Sequence, residues 1–201
     1  MPVIGDFSSS IGTYPVPWDK FGVVFFGAQK NMGPAGCTVV IVREDLLGQA
    51  DRDVPILCDW KLHEESPDTY YNTPAIFPMY VTGLNVAHMN SMGGVAHYQK
   101  LAEKRSSILW KCIDGSRDFY KSKITDHAYR SRVNAIFRIA DGDEYLENKF
   151  IEEAGEAGIV QIKAHVVNPA IRISMYNAMP VEGVEHLVSF MRDFQRRYDY
   201  R

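Results

Sequence analysis

Two side chains in the first thirty residues have the types and placement for chemistry on an amino group. Lys30 lies in Gly27-Ala28-Gln29-Lys30-Asn31, directly after the apolar run Val23–Phe26. Asp6 closes a shorter apolar run that begins at Val3, and the hydroxyl run Ser8-Ser9-Ser10 follows it. A lysine amine forms a Schiff base with a carbonyl and can then carry a proton between neighbouring atoms. A carboxylate held against a pyridine nitrogen keeps that nitrogen protonated, so the ring remains an electron sink. Together they are what a pyridoxal 5′-phosphate (PLP) site needs, if two strands of a parallel or mixed sheet end in one crevice. Each residue also has an ordinary reading: a loop lysine facing water, and an aspartate capping a turn or helix.

The elements that would place these residues follow from the residue pattern. Val23–Phe26 and Thr38–Val42 are β-branched or aromatic and too short for helices, so both are expected as strands buried on two faces. Gly33 and Gly36 supply the turn between them. Residues 11–20, with two prolines and a glycine, read as an irregular connection, and Glu44–Gly48 as one helical turn closed by glycine. Residues 51–76 lack periodicity and hold Pro55, Pro67 and Pro74, which reads as a long structureless loop. Helices are expected over Met79–Asn90 and from about Gly94 to Phe119. In the second, Leu101, Arg105, Ile108, Leu109, Cys112 and Ile113 recur every three or four residues, with Arg105 snorkelling at the edge. Arg132–Ile139 alternates as a half-buried strand. Asp143–Ala157 reads as a charged helix ended by Gly158, and Ile159–Ile162 and Ala170–Met175 as strands. Pro180 opens a last helix with Val184, Leu187, Val188, Met191 and Phe194 on one face. That order, from about residue 95 on, suits a small α/β domain with an antiparallel sheet.

The chain has 201 residues, 46% of them apolar, enough to bury a core in one or two domains. A net charge of −3 gives no ground for a nucleic acid or an anionic membrane as partner. No apolar run approaches the roughly 20 residues that span a bilayer, and Met1–Ile4 lacks the features of a secretory signal. Cys37, Cys58 and Cys112 form no CxxC pair and read as free thiols of a reducing compartment, with the cytoplasm expected. The six histidines show no metal-ligand spacing, and no metal is expected.

The stretches DFSSS, FGVVFFGAQKNMGPAGCTVVIVREDLL, YYNTPAIFPMY and SMYNAMPVEGVEHLVSFMRDF resemble the phosphoserine aminotransferases, class V, fold-type I PLP enzymes of serine biosynthesis. The resemblance extends over essentially the whole chain. It implies an α/β fold: residues 1–94 as the carboxy-terminal part of the PLP-binding large-domain sheet, and 95–201 as a small α/β, α+β-like, carboxy-terminal domain. It implies amino transfer between O-phospho-L-serine and 2-oxoglutarate, yielding glutamate. By resemblance Lys30 holds PLP covalently, in a buried setting that favours the free amine. Asp6 pairs with the pyridine nitrogen, Ser8 contacts the cofactor and Gln29 contacts its phosphate. Asn72 and Thr73 reach across a twofold homodimer to the phosphate in the other subunit. Arg172 anchors the substrate α-carboxylate, and His165 lies near the substrate phosphate.

The chain departs from the family pattern after His165. Val166 stands where the pattern has arginine, and Pro169-Ala170 replaces a glycine pair. Losing a guanidinium from a phosphate pocket removes a charge-assisted contact of about 1.5–3 kcal/mol. The earlier part of the family's large domain, including the aromatic that stacks on the PLP ring, has no counterpart in these 201 residues. An alternative reading is therefore a truncated, non-catalytic chain that at most dimerises or regulates.

Overall fold

A computed structural model of the chain describes residues 1–164 and 169–200. The chain divides into two compact units, Met1–Val95 and Ala96–Arg201.

In the first unit, β1 (Ile4–Asp6), β2 (Val23–Gly27) and β3 (Thr38–Val42) form a mixed sheet in the order β1-β2-β3. β1 runs parallel to β2, with Asp6 opposite Phe25, and β3 runs antiparallel to β2, with Thr38 opposite Gly27. The central strand is buried at Val23, Val24 and Phe26, and Phe7 and Ile11 complete a small core. β3 departs from the expectation of two buried faces: Val40 and Ile41 are 41% and 43% exposed. It is an edge strand, and of its described residues Val39 is the one packed against the Phe7–Val24–Phe26 cluster. The run is as apolar as β2, but among the described residues no layer covers its other face.

Residues 51–76 also depart from the expectation. They contain α1 (Trp60–Glu65) and two 3₁₀ turns, Ile56–Cys58 and Pro67–Thr69. Asp59 caps α1 by accepting the Lys61 amide at 3.0 Å, so the prolines separate short helical pieces instead of abolishing them. α2 (Ile76–Ser91) starts earlier than its expected Met79. Pro78 falls in its first turn, where an amide donor has no intrahelical partner to lose.

The second unit holds most of α3 (Gly94–Asp114), then β4 (Tyr120–Lys121), β5 (Asn134–Ile139), α4 (Glu144–Glu156), β6 (Ile171–Ser174) and α5 (Val181–Tyr198). Its sheet, β4-β5-β6, is antiparallel throughout. Ala135, Phe137 and Ile139 point into the core, while Ile136 is exposed, as the alternation requires. All five expected core positions of α5 are buried, and Phe194 meets Phe150 edge-on at 5.0 Å. Asp143 caps α4 by accepting the Leu146 amide at 3.0 Å, and Gly158, with φ of +78°, follows its end.

Two expectations fail in this unit. Residues 159–162 form no ladder: Gln161 takes a φ of +61°, and the neighbouring pairing is an isolated bridge from Lys163 to Ile171. Arg105 does not snorkel. It is 1% exposed, and its Nη1 donates to the carbonyls of Asn177 at 3.2 Å and Met179 at 2.6 Å. The loop entering α5 presents those carbonyls to the inner side of α3, and a long donor is what reaches them.

Candidate functional site

Because β1 and β2 are parallel, their carboxyl ends lie side by side, and the chain turns away just beyond each. The two turns interlock. The Ser8 amide donates to Asp6 Oδ1 at 2.8 Å, and the Gly27 amide donates to Ser8 Oγ at 3.1 Å. Lys30 Nζ donates to Ser9 Oγ at 2.8 Å, and Asn31 Nδ2 donates to the Ser9 carbonyl at 2.8 Å. Asp6, Ser8, Gln29 and Lys30 thus share one end of one sheet. The Ser8 hydroxyl and amide hold the Asp6 carboxyl below the ordinary aspartate pKa, and the Lys30 charge adds to them. The turn-capping reading of Asp6 is therefore correct in its geometry, and the same contacts keep the carboxylate ionised and aimed.

Lys30 is exposed, which corrects the expectation of a buried amine. It lies past the last residue of β2, on the rim, where the Ser9 hydroxyl accepts from its amine. The turn beneath it is rigidly held. The Met32 and Gly33 amides both donate to the carbonyl of the fully buried Ala28, at 2.9 and 2.8 Å. From α2, Asn85 Nδ2 donates to the Met32 carbonyl at 2.9 Å and the Asn31 carbonyl at 3.3 Å. Gly33 sits so close to α2 that a Cβ there would lie 3.0 Å from Thr82 Cα. Gly36 needs its glycine for a different reason, a φ of +106°.

Ser9, Asn31, Thr82 and Asn85 are site-building residues that sequence reasoning did not single out for this role. Ser9 lay inside the hydroxyl run next to Asp6, and Asn31 beside the lysine, so adjacency was a usable signal for both. Asn85 is 54 residues from Asn31, and nothing local in the sequence pairs them.

Gln29 is exposed, with its amide end folded back onto Gly27. Asn72 and Thr73 are exposed between Thr69 and α2, and among the described residues neither hydrogen-bonds the Lys30 turn. Arg172 is exposed on β6 in the second unit, opposite Ile136, with its amide donating to the Ile162 carbonyl at 2.8 Å. His165 and Val166 lie outside the described residues. An ionised carboxylate and an accessible amine at one sheet end suit a carbonyl compound that carries a basic ring nitrogen.

The family described as aminotransferase class-V matches residues 1–187. A phosphoserine aminotransferase of Laribacter hongkongensis is 44% identical over 198 residues, which cover 98% of this chain and 54% of that protein. Among solved structures, the phosphoserine aminotransferase from Bacillus circulans subsp. alkalophilus superposes with a TM-score of 0.89 at 37% identity, covering 98% of this chain and 54% of the other. The PLP-bound phosphoserine aminotransferase from Trichomonas vaginalis superposes with a TM-score of 0.88 at 32% identity, covering 95% and 53%. The α/β fold expected from the sequence is the fold of these enzymes, and the chain spans about half the length of the relatives it matches. The chain belongs to the aminotransferase class-V family.

Proposed function

We propose that this chain carries the lysine side of a PLP site in an enzyme that moves an amino group between O-phospho-L-serine and 2-oxoglutarate. The observation that carries the proposal is the Asp6–Ser8–Ser9–Lys30 cluster at the carboxyl end of a parallel strand pair, in a chain whose relatives bear the name phosphoserine aminotransferase. The cluster fits the cofactor. Asp6 is an ionised acceptor for a protonated ring nitrogen, and Lys30 is an amine open to an aldehyde.

PLP, when bound, withdraws electrons from the α-carbon of an attached amino acid. Lys30 would hold it, and the same amine is the base that would move the proton at the substrate α-carbon. Asp6, fixed by the Ser8 amide, holds the proton on the ring nitrogen. Ser8 and Gln29 orient the cofactor, and Asn72 and Thr73 of a second copy complete its phosphate site in a homodimer. Arg172 offers a planar fork for the substrate α-carboxylate. By resemblance His165 would serve the substrate phosphate, with one cation fewer than the family pattern because Val166 stands where that pattern has arginine. Three free thiols, Cys37, Cys58 and Cys112, favour the cytoplasm as its location.

The test is covalent. The chain is incubated with PLP, reduced with borohydride, digested and mapped by mass spectrometry. The label should concentrate on Lys30 and vanish from that peptide in Lys30→Ala. A label spread evenly over Lys61, Lys100 and Lys163 would remove the basis for an organised site.

A further inference from the structure

Asn72 and Thr73 sit in a stretch with few bonds of its own. Among the described residues, no hydrogen bond ties Tyr71, Asn72 or Thr73 to the rest of the chain. What reaches the stretch is a ring. His63 of α1 meets Tyr71 at 6.4 Å between centroids, with the planes 70° apart.

His63 is itself anchored. Its Nε2 lies 3.1 Å from the carbonyl of Leu57, in the 3₁₀ turn that precedes α1. A carbonyl can only accept, so Nε2 carries the proton and the ring is held in one orientation. At the far end of α1 the Ser66 amide donates to the His63 carbonyl at 3.2 Å, and Ser66 Oγ donates to the Leu62 carbonyl at 2.7 Å. The Thr69 amide then donates to the Ser66 carbonyl at 3.0 Å, and the Tyr70 amide to the Pro67 carbonyl at 3.1 Å. The chain is tied turn by turn from Leu57 to Tyr70, and the His63 ring joins the start of that run to Tyr71 just past its end.

The last of these turns is strained. Asp68 and Thr69 take φ of +54° and +64°, a region that disfavours any residue with a Cβ. Two such residues in succession persist where the surroundings over-determine the backbone, and strain of this kind gathers at ligand clamps. A histidine in the last turn of a helix has an ordinary role, compensating the terminal carbonyls. That role does not account for a nitrogen aimed back at a carbonyl before the helix, or for a ring packed on a tyrosine beyond it.

We propose that His63 is the positioning residue for Asn72 and Thr73, holding Tyr71 so that the next two side chains reach a cofactor phosphate already aimed. This rests on the reading that Asn72 and Thr73 complete the PLP phosphate site of a second copy. Both are short, neutral hydrogen-bonding groups, so their backbone must be in place before a phosphate arrives. Pro74 restricts Thr73 to extended backbone on one side, and His63 fixes the chain on the other. Placing the groups beforehand raises affinity by removing ordering that binding would otherwise require.

The test is a mutant cycle on the full chain, read by PLP titration and by amide hydrogen exchange. His63→Ala should raise the PLP Kd by about three- to tenfold, the scale of one aromatic contact, and should speed exchange at the Thr69 and Tyr70 amides. Tyr71→Leu, which breaks the same contact from an exposed residue, should raise the Kd alike and guards against misfolding as the explanation. With Asn72→Ala and Thr73→Ala already present, His63→Ala should raise the Kd no further. A general structural role would weaken PLP equally in both backgrounds, and that result overturns the proposal, as does an unchanged Kd in His63→Ala. A parent that takes up no PLP at Lys30 overturns the amino-transfer reading instead. Exchange then decides His63 by itself: faster Thr69 and Tyr70 exchange in His63→Ala upholds its hold on the segment, and unaltered exchange refutes it.

Discussion

At Asp6 the Ser8 hydroxyl and amide, the amide donating to Oδ1 at 2.8 Å, hold the carboxyl below the ordinary aspartate pKa, and the Lys30 charge adds to them. A folded-state pKa lowered in this way links protonation to stability with a definite sign. The contribution is fully present above the ordinary aspartate value of about 3.9, and is lost as pH falls through the lowered value. The Ser8 amide resonance, followed by NMR from pH 7 to pH 2, should titrate with a midpoint below that of an ordinary aspartate. Ser8→Ala removes the hydroxyl, the largest contribution, while keeping the amide, so the midpoint should move upward. An unchanged midpoint in Ser8→Ala would mean that the hydroxyl does not face the carboxylate.

Among the elements, α2 decides where the lysine turn sits. It reaches the turn through a hydrogen-bonding residue, Asn85, and through a steric contact of Thr82 with Gly33. An added Cβ would meet the Thr82 hydroxyl first, and also the Thr82 Cα at 3.0 Å, which belongs to the helix backbone and cannot rotate away. Gly33→Ala should therefore destabilise by about 1–3 kcal/mol, the range for an overpacked site. Lowered urea midpoint and slower PLP labelling of Lys30 are the two readouts. An unaltered midpoint would show that the turn can move off α2 freely, and that something else positions the lysine.

For the whole molecule, the two units bury their apolar residues unequally. The second packs a large aromatic core around Phe137, Phe150 and Phe194. The first has a small core, and leaves Ile76, Phe77, Tyr80 and Leu84 of α2 exposed, Phe77 by 71%. An apolar helix face of that kind is a reason for association. The chain should sediment as a dimer at micromolar concentration, and Phe77→Asp should shift it towards monomer without changing its far-ultraviolet circular dichroism. A folded parent that sediments as a monomer would count against Asn72 and Thr73 completing a second copy's site.

What the sequence determined by itself was whatever depends on neighbours close along the chain. The strands β2 and β5, the helix between Asp143 and Gly158, the buried face of α5 and the placement of Asp6 and Lys30 at strand ends all follow from local pattern. Periodicity, turn chemistry and capping act over a few residues, so they are written in a few residues. Tertiary structure decided the rest. It placed β3 at an edge, where its apolar run is exposed despite being as hydrophobic as its partner. It carried Arg105 inward, because carbonyls more than seventy residues away present themselves to α3. It left Lys30 on the rim, and brought Asn85 and Thr82 under its turn. Each of these outcomes depends on which distant segment arrives beside a residue, and local propensity holds no record of that.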